Sequence, residues 1–560
     1  MQIETKPGLS LEVAGREMSG RRHSVPRRRW SRYALGVPAI VLLFVLLVPM
    51  VWTFVRALTA DLPVIGNFRD VLTDAGTLTA AWHSMLWVGI ALVLIGVGYW
   101  IAVLSRLVQE LWRVLLYLLI LPFGISALVS GAVFRMIFDQ NAGRGMASAL
   151  FGDSAVWLGP DLIWWVLASS FAWTWLGFIV VLFRAGLDAH TAVAPRVFGR
   201  VTLPRPGPVT GIVALTVLVA AIRVFDLVLI ASPGSMQDDV DVVGLHWWRM
   251  TSRSSDTGGP AALAVLLFLV VAALSLLGMR EKRGLEPVLH PALPTRTPRR
   301  VWSWVVGIVL GAFWLLPIVV LVATSLHNPE AAGSAGWWNL AGLGFGSFAA
   351  VGEESLLPAL VGNVTLAGLA TVLVVAAAIP AAYLLVWGGL PGWLSRGLTL
   401  LLVVLAVAPV QMYAGPLGDA FSSLGLAGSR APLALIHAAA GLPFATLVLR
   451  TAFLAAPTSP TGRQRPSLNV MWRRGRYRPA VVAVVVLEFV LVWNDFIVGF
   501  LISGPGSTPL TLLLWGEARQ FGTSAGTVAA AAVAAAVIPV AVLLVTWRRV
   551  VIGLTGGVAR

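Results

Sequence analysis

The chain has 560 residues, of which 58% are hydrophobic and only 12% are charged, and its mean hydropathy is +0.86. A soluble globular protein carries about 25% charged residues, so the composition excludes a soluble, disordered or collagen-like chain and predicts an integral membrane protein. The formal net charge of +15 comes almost wholly from arginine, and the absence of cysteine excludes disulfides, thiol nucleophiles and cysteine–zinc sites.

Twelve apolar runs are long enough, at roughly 20 residues, to approach the thickness of a bilayer. They predict an all-α membrane protein with about 12 transmembrane helices. The runs are 33–58, 82–103, 114–138, 162–183, 209–230, 261–277, 301–324, 361–387, 398–411, 432–449, 479–500 and 526–546. The first run is too long for a signal peptide and no small-residue cleavage site follows it, so we expect it to be retained.

The basic residues predict the orientation. If residues 1–32 are cytoplasmic, the inner segments hold 31 of the 40 Lys and Arg residues. Cytoplasmic loops carry an excess of Lys and Arg, so we expect both termini inside the cell membrane. The positive charge then reports topology, aided by contact with anionic lipid, and no nucleic-acid partner is expected.

The chain is predicted to be doubled. A basic, proline-bearing stretch at 280–300 is interpreted as a cytoplasmic linker between a first half of six spans (33–279) and a second half of six spans (301–560), preceded by the basic tail 1–32. Each half has an aromatic residue and an acid near the outer end of its fifth span. Two six-span halves share one orientation, as in parallel repeats that flank a transport path.

Several catalytic patterns are absent. Lys6 and Lys282 are the only lysines and neither lies in a glycine-rich phosphate loop, so no ATPase of the Walker type is expected in this chain. The seven histidines have no metal-binding spacing, and no nucleophile elbow is present. The sequence therefore predicts neither an enzyme nor a bound metal or cofactor.

The motifs of the second half form a recognisable set. They are Asn363-Val364-Thr365, Pro416-Leu417, Leu424-Gly425-Leu426, Pro443-Phe444, LEFVLVWNDFIVGFLI (487–502) and RRVVIGLTGGVAR (548–560). This set resembles one subunit type of the inner-membrane permeases of carbohydrate ABC importers, which carries F-x-x-x-W-N-D-F in its fifth core span and closes with G-L-T-x-G-A-x-K.

The first half resembles the partner subunit type of the same family. Its motifs are FDQNAGRGMASALFG (138–152), GLDAH (186–190), FGRVTLP (198–204), VFD (224–226) and TGGPAALAVLL (257–267). The resemblance covers roughly residues 80–560 and implies two permease subunits fused end to end. It also implies a separate dimer of ABC ATPase subunits that uses ATP, and an extracytoplasmic solute-binding protein.

The family's cytoplasmic E-A-A-x-x-D-G-A loop, which docks into the ATPase, is missing from both halves. The corresponding stretches are LDAHTAVAPRVFGRVTLP (187–204) and APTSPTGRQRPSLNVMWRRGRYRP (456–479). Either the coupling surface has diverged, which we favour, or efficient coupling is lost. The candidate docking residues are Arg196, Phe198, Arg200, Trp472, Arg473 and Arg474. The same arginines are also explained as positive-inside anchors.

The candidate path residues lie in the two fifth spans, because acids inside spans usually face a polar path or a partner. They are Phe225, Asp226, Glu488, Trp493, Asn494 and Asp495. Arg223 offers Asp226 a local ion pair as an alternative role. Trp493 and Phe225 could stack on a sugar, but in a chain with 24 Trp a lipid-interface anchor is the better account of any single one. Asn494 and Asp495 could instead cap or bridge neighbouring helices.

Two function classes follow. The leading hypothesis is the permease of an importer, with the sugar path in this chain and the energy supplied by a separate ATPase. The alternative is a twelve-span secondary transporter driven by an ion gradient, but its typical basic loop does not match LSRLVQELWRV (104–114). A membrane-embedded enzyme would need an acidic cluster such as Asp238, Asp239 and Asp241, which a solvated loop explains more simply.

Overall fold

A computed structural model describes residues 33–62, 64–105, 109–152, 154–191, 207–253, 255–280, 300–454, 477–504, 506–518 and 525–554. These residues form α-helices and short 3-10 turns, with one isolated β-bridge between His327 and Leu343. The all-helical class predicted from the sequence is thus confirmed.

The first half contains eleven described α-helices. They are α1 (Val37–Thr59), α2 (Gly66–Thr73), α3 (Ala75–Leu104), α4 (Gln109–Ile120), α5 (Ala127–Ile137), α6 (Met146–Phe151), α7 (Ile163–Thr191), α8 (Gly207–Ile222), α9 (Asp226–Ala231), α10 (Val243–Arg253) and α11 (Gly258–Arg280).

The second half also contains eleven. They are α12 (Arg300–Ser325), α13 (Pro329–Ser334), α14 (Gly346–Val351), α15 (Glu353–Trp387), α16 (Gly392–Ala406), α17 (Ala414–Ser423), α18 (Arg430–Leu454), α19 (Arg478–Asn494), α20 (Ile497–Ile502), α21 (Leu510–Ala518) and α22 (Ala525–Leu554).

Eight helices in the described part of the chain are long and apolar enough to cross a membrane. They are Ala34–Thr59, Ala75–Leu104, Ile163–Asp188, Gly258–Leu277, Gly307–Ser325, Leu356–Trp387, Arg430–Leu454 and Ala525–Leu554. A ninth is obtained if the pair Tyr117–Gly124 and Ala127–Ile137, bent by 106°, is taken as one span. An integral membrane protein is therefore supported, whereas the count of twelve crossings and the cytoplasmic termini stay predictions.

The other predicted spans are interrupted, and the interruptions recur in the two halves. The third run of each half turns at a proline, Pro122 or Pro409, where a short 3-10 turn separates two helices. Proline lacks the N–H that a continuing helix needs. The fifth run of each half stops near its acid, between α8 and α9 in the first half and between α19 and α20 in the second.

The two halves are packed into each other. α1 contacts α17 and α18 of the second half, while α12 contacts α4 and α5 of the first. Polar contacts join the same surfaces: the Thr53 hydroxyl donates to the Met412 carbonyl at 2.8 Å, and the Trp173 indole donates to the Trp314 carbonyl at 2.9 Å. The interrupted fifth spans meet inside this shared bundle.

Candidate functional site

The breaks in the fifth spans place two acids at the interface between the halves. Asp226 is the first residue of α9, and Asp495 lies between α19 and α20. The Asp495 carboxylate accepts hydrogen bonds from the N–H groups of Val498 (3.0 Å) and Gly499 (3.4 Å). Asp226 and Asp495 are close enough to interact electrostatically. The structure therefore brings together these two of the predicted path residues.

Two positively ionisable side chains accompany the acids. Arg223 interacts electrostatically with Asp495 and with the buried Tyr413, and no ion pair joins it to Asp226 among the described residues. His437 of α18 has Nε2 3.9 Å from a carboxylate oxygen of Asp495. The local Arg223–Asp226 pair considered from the sequence is therefore not formed. His437 is buried and its imidazole faces Asp495.

An aromatic cluster, defined as Phe225, Trp248, Phe496, Phe500 and Trp515, adjoins the two acids, since Phe225 precedes Asp226 and Phe496 follows Asp495 in the chain. The Phe225 and Phe496 rings, one from each half, are stacked with centroids 6.3 Å apart. The centroid of the Phe500 ring lies 5.0 Å from that of Phe496, 5.3 Å from that of Trp248 and 5.0 Å from that of Trp515. Sequence reasoning identified Phe225 only. The spacing Phe496-x-x-x-Phe500 puts both rings on one helix face, and this pattern could have added Phe496 and Phe500 to the predicted site.

Three other predicted residues point elsewhere. The Trp493 ring is 1% exposed and its indole N–H donates to the Ala535 carbonyl at 2.8 Å, so it presents no free face to a sugar in this conformation. The Asn494 amide donates to the Gly124 carbonyl at 3.0 Å and bridges the two halves, as the structural alternative proposed. The Glu488 carboxyl lies against Gly441 of α18 and is 3% exposed.

The candidate coupling residues Arg196, Phe198, Arg200, Trp472, Arg473 and Arg474 lie outside the described residues. Within the described part of the chain, no group of three or more His, Asp or Glu side chains is arranged to hold a metal ion. The interface between the halves thus combines the acids Asp226 and Asp495, the guanidinium group of Arg223 and a cluster of contacting aromatic rings.

An all-helical bundle with acids at the junction of two similar halves has the features of a membrane transport protein, and sequence comparison makes this more specific. No family model matches the chain. It is 27% identical over 266 residues to the osmoprotective compounds uptake permease protein GgtD of Synechocystis sp., spanning 45% of this chain and 89% of that protein. It is 26% identical to the arabinooligosaccharides transport system permease protein AraP of Halalkalibacterium halodurans, spanning 40% of this chain and 78% of that protein.

A search of solved structures finds similarity to a bacterial ABC transporter involved in the import of the acidic polysaccharide alginate. The TM-score is 0.39 at 18% identity, over 46% of this chain and 96% of that one. The sequence relatives confirm the resemblance to ABC importer permeases and a location in the cell membrane. Each aligns along most of its own length with less than half of this chain, as expected for two permeases joined in one polypeptide.

Proposed function

We propose that this chain is the complete permease of an ABC importer for a sugar or oligosaccharide. The observation that carries the proposal is the meeting of Phe225-Asp226 and Asp495-Phe496 at the interface of two halves that pack into each other. A central path between two similar halves is the arrangement that repeated transporters use. The permease relatives support the same reading.

The partners follow from this function. A chain without a phosphate loop needs a separate ABC ATPase dimer for energy, and an extracytoplasmic solute-binding protein to deliver the sugar. The loops that include Arg196, Phe198 and Arg200 in the first half, and Trp472, Arg473 and Arg474 in the second, are proposed to contact the ATPase. The six residues offer aromatic and basic side chains of the kind that protein interfaces favour.

Reconstitution tests the energy source. The purified chain in vesicles should hydrolyse no ATP, and labelled sugar should accumulate only when the ATPase and the binding protein are added with ATP. Accumulation driven by a proton or sodium gradient alone would instead identify the secondary transporter.

Substitution tests the path. Asp495→Asn keeps the size of the side chain and removes its charge, so we expect impaired uptake with unchanged expression and unchanged assembly with the ATPase. Asp226→Asn should have a weaker effect of the same kind. Poor expression or failed assembly would assign Asp495 to the helix break alone, since its carboxylate accepts the first N–H groups after that break.

A further inference from the structure

A cavity of about 580 Å³ lies outside the predicted path, at the end of the bundle where the predicted outer loops are located. Its wall is formed by the start of α3, by α10 and by the segments that flank α10, including Thr79, Asp241 and Arg249. Cavities of roughly 300–1,000 Å³ are the size that small-molecule ligands occupy. This cavity is therefore large enough for a mono- or disaccharide.

The polar floor of the cavity is an ordered network. Arg249, 9% exposed, forms ion pairs with Asp238 and, at 3.2 Å, with Asp241. The His246 Nδ1 lies 3.1 Å from the same Asp241 carboxylate, and its Nε2 lies 3.2 Å from the Thr77 hydroxyl. The sequence interpretation of these acids as a solvated loop is wrong for Asp241, which is 5% exposed, although the Asp238 side chain is 84% exposed.

One oxygen of the network lacks a partner. The Asp241 Oδ1 is buried without a hydrogen bond among the described residues, while Oδ2 accepts from His246 and Arg249. A buried polar atom without a partner is costly and calls for an explanation. In this conformation Oδ1 is closed off from the cavity, and a rotation of the Asp241 carboxylate, which lines the cavity, would present this oxygen to a hydroxyl donor there.

α10 separates this cavity from the aromatic cluster. His246, Arg249 and Arg253 follow one face of the helix and line the cavity. On the opposite face, Gly244 lies against Gln411 and Phe225, and Trp248 contacts Phe500. One turn of helix thus connects the two, so a solute in the cavity would be next to the entrance of the proposed path.

The residues that make this cavity polar differ at the matching positions of the second half. In the second half, α21 follows the broken fifth span as α10 does in the first, and Trp515 of α21 reaches the aromatic cluster as Trp248 does. Yet the residues of α21 that match His246 and Arg249, counted from Trp515 and Trp248, are Leu513 and Gly516. The polar cavity is therefore not a by-product of the repeat.

We propose that this cavity is a receiving site for an uncharged, polyhydroxylated solute, an inference that rests on the proposed sugar-import function. Asp238 and Asp241 form ion pairs with Arg249, and the wall also holds Asp256 and Arg253, so it carries both signs of charge and favours neither strongly. Hydroxyl groups donate to carboxylates and accept from guanidinium groups. Met250 and Pro260 supply an apolar surface for the C–H face of a sugar ring.

Single cysteines test the site in this cysteine-free chain. Thr79→Cys lies on the cavity wall, and the control Leu72→Cys is exposed on α2 outside it. The full chain is placed in lipid nanodiscs without ATPase or binding protein. Labelling by a thiol reagent is then timed with a mixture of maltose, sucrose, trehalose and arabinobiose, and separately with glucuronate.

We expect the neutral sugars to protect Thr79→Cys. When the free concentration of a sugar that binds is twice its Kd, about one third of the sites stay empty, so labelling should be about threefold slower. The control should be unaffected, and glucuronate should protect less. Arg253→Gln, added to Thr79→Cys, should reduce the protection. Arg253 is exposed, so this change leaves the buried network intact. When Arg249→Lys is added to Thr79→Cys, part of the protection should remain. When Arg249→Gln is added instead, the protection should be lost.

Equal labelling rates with and without the neutral sugars would overturn the receiving site, as would equal protection of Leu72→Cys. Protection by glucuronate equal to that by maltose would overturn its preference for uncharged solutes. Because no ATPase takes part, a failure here is separable from failure of ATP-driven uptake, which tests the proposed function itself.

Discussion

Glu488 in α19 and Asp495 just after α19 lie seven residues apart, but their surroundings differ. Asp495 accepts backbone N–H groups at the helix break and is near Asp226. Glu488 is buried one or two turns deeper, where its carboxyl lies against Gly441. An acid in this position is expensive in a membrane, and the absence of a Cβ at residue 441 is what leaves room for it.

Gly441→Ala is expected to destabilise the protein by about 1–3 kcal/mol, the range for an overpacked core, because the added Cβ would collide with the Glu488 carboxyl. Thermal unfolding in detergent measures the effect. Gly368→Ala is the matched control, since a Cβ there meets no atom within 4 Å. The double variant Gly441→Ala/Glu488→Ala should recover much of the loss, and equal stability of Gly441→Ala and Gly368→Ala would contradict the packing argument.

A pair of acids outside the membrane, Asp61 and Asp256, joins the end of α1 to the start of α11. The pKa of Asp61 is lowered from 3.8 because it accepts a hydrogen bond from Asp256 and the N–H groups of Gly258 and Thr257. The pKa of Asp256 is raised because its proton is held by Asp61 and because it is partly desolvated. The hydrogen bond between them therefore favours a protonated Asp256 beside an ionised Asp61.

The signs of these shifts give a pH dependence. The contribution of Asp256 is present below its ordinary pKa of 3.8 and is lost as pH rises through its raised pKa. That of Asp61 is present above 3.8 and is lost as pH falls through its lowered pKa. Stability should therefore decline as pH rises through the raised pKa of Asp256.

Asp256→Asn should remove that decline, because an amide donates to Asp61 without titrating. Thermal unfolding midpoints of the variant and the parent, compared from about pH 4 to about pH 7, measure it. Asp70→Asn, at an exposed acid on α2, is the control. An identical pH profile for Asp256→Asn and the parent chain would show that the proton on Asp256 does not stabilise the junction.

At the scale of elements, hydropathy predicted the long helices well and the broken ones poorly. α3, α7, α15, α18 and α22 lie where continuous apolar runs predicted them. The interruptions occupy only a few residues within runs that remain apolar, so a window of about 20 residues averages over them. Prolines 122 and 409 were visible signals for two of these breaks, since proline ends or bends a helix.

The candidate site was also predicted only in part from the sequence. The repeated position of Asp226 and Asp495 predicted that the acids lie together at the junction of the halves, and their electrostatic contact agrees with this. The direction of Trp493 could not be predicted, because a rotation of α19 decides whether its ring faces the path or α22. The burial of Asp241 escaped prediction because it depends on how α10 packs on α3, where the Thr77 hydroxyl contacts His246.

The bond from Asn494 to Gly124 offers a test of how the broken elements hold the halves together. Asn494→Ala leaves the buried Gly124 carbonyl without this donor, and removal of such a partner costs about 1–3 kcal/mol. A lower thermal midpoint with unchanged oligomeric size is expected. Asn339→Ala, in the loop between α13 and α14, is the control because its side chain bonds only locally. No difference between the variants would exclude an inter-half role for Asn494.

At the scale of the molecule, the halves are interlocked rather than side by side. α1 packs on the second half and α12 on the first, and Arg56 of α1 forms a 2.9 Å ion pair with Asp419 of α17. Two separate subunits would have to find these contacts by association. Fusion fixes their ratio and raises the effective concentration of one half near the other.

Parallel fusion requires that both halves enter the membrane from the same side, which makes the orientation of the linker the strongest test of the architecture. With 31 of 40 basic residues assigned to one side, the positive-inside rule places the linker 280–300 in the cytoplasm and the Asp238–Asp241 segment outside. In intact cells, Leu285→Cys should therefore resist a membrane-impermeant thiol reagent, and Asp239→Cys, at an exposed position, should react. Permeabilising the cells should expose Leu285→Cys. Labelling of Leu285→Cys but not Asp239→Cys before permeabilisation would invert the topology. Labelling of both would place residues 239 and 285 on the same side of the membrane and contradict the single crossing expected between them.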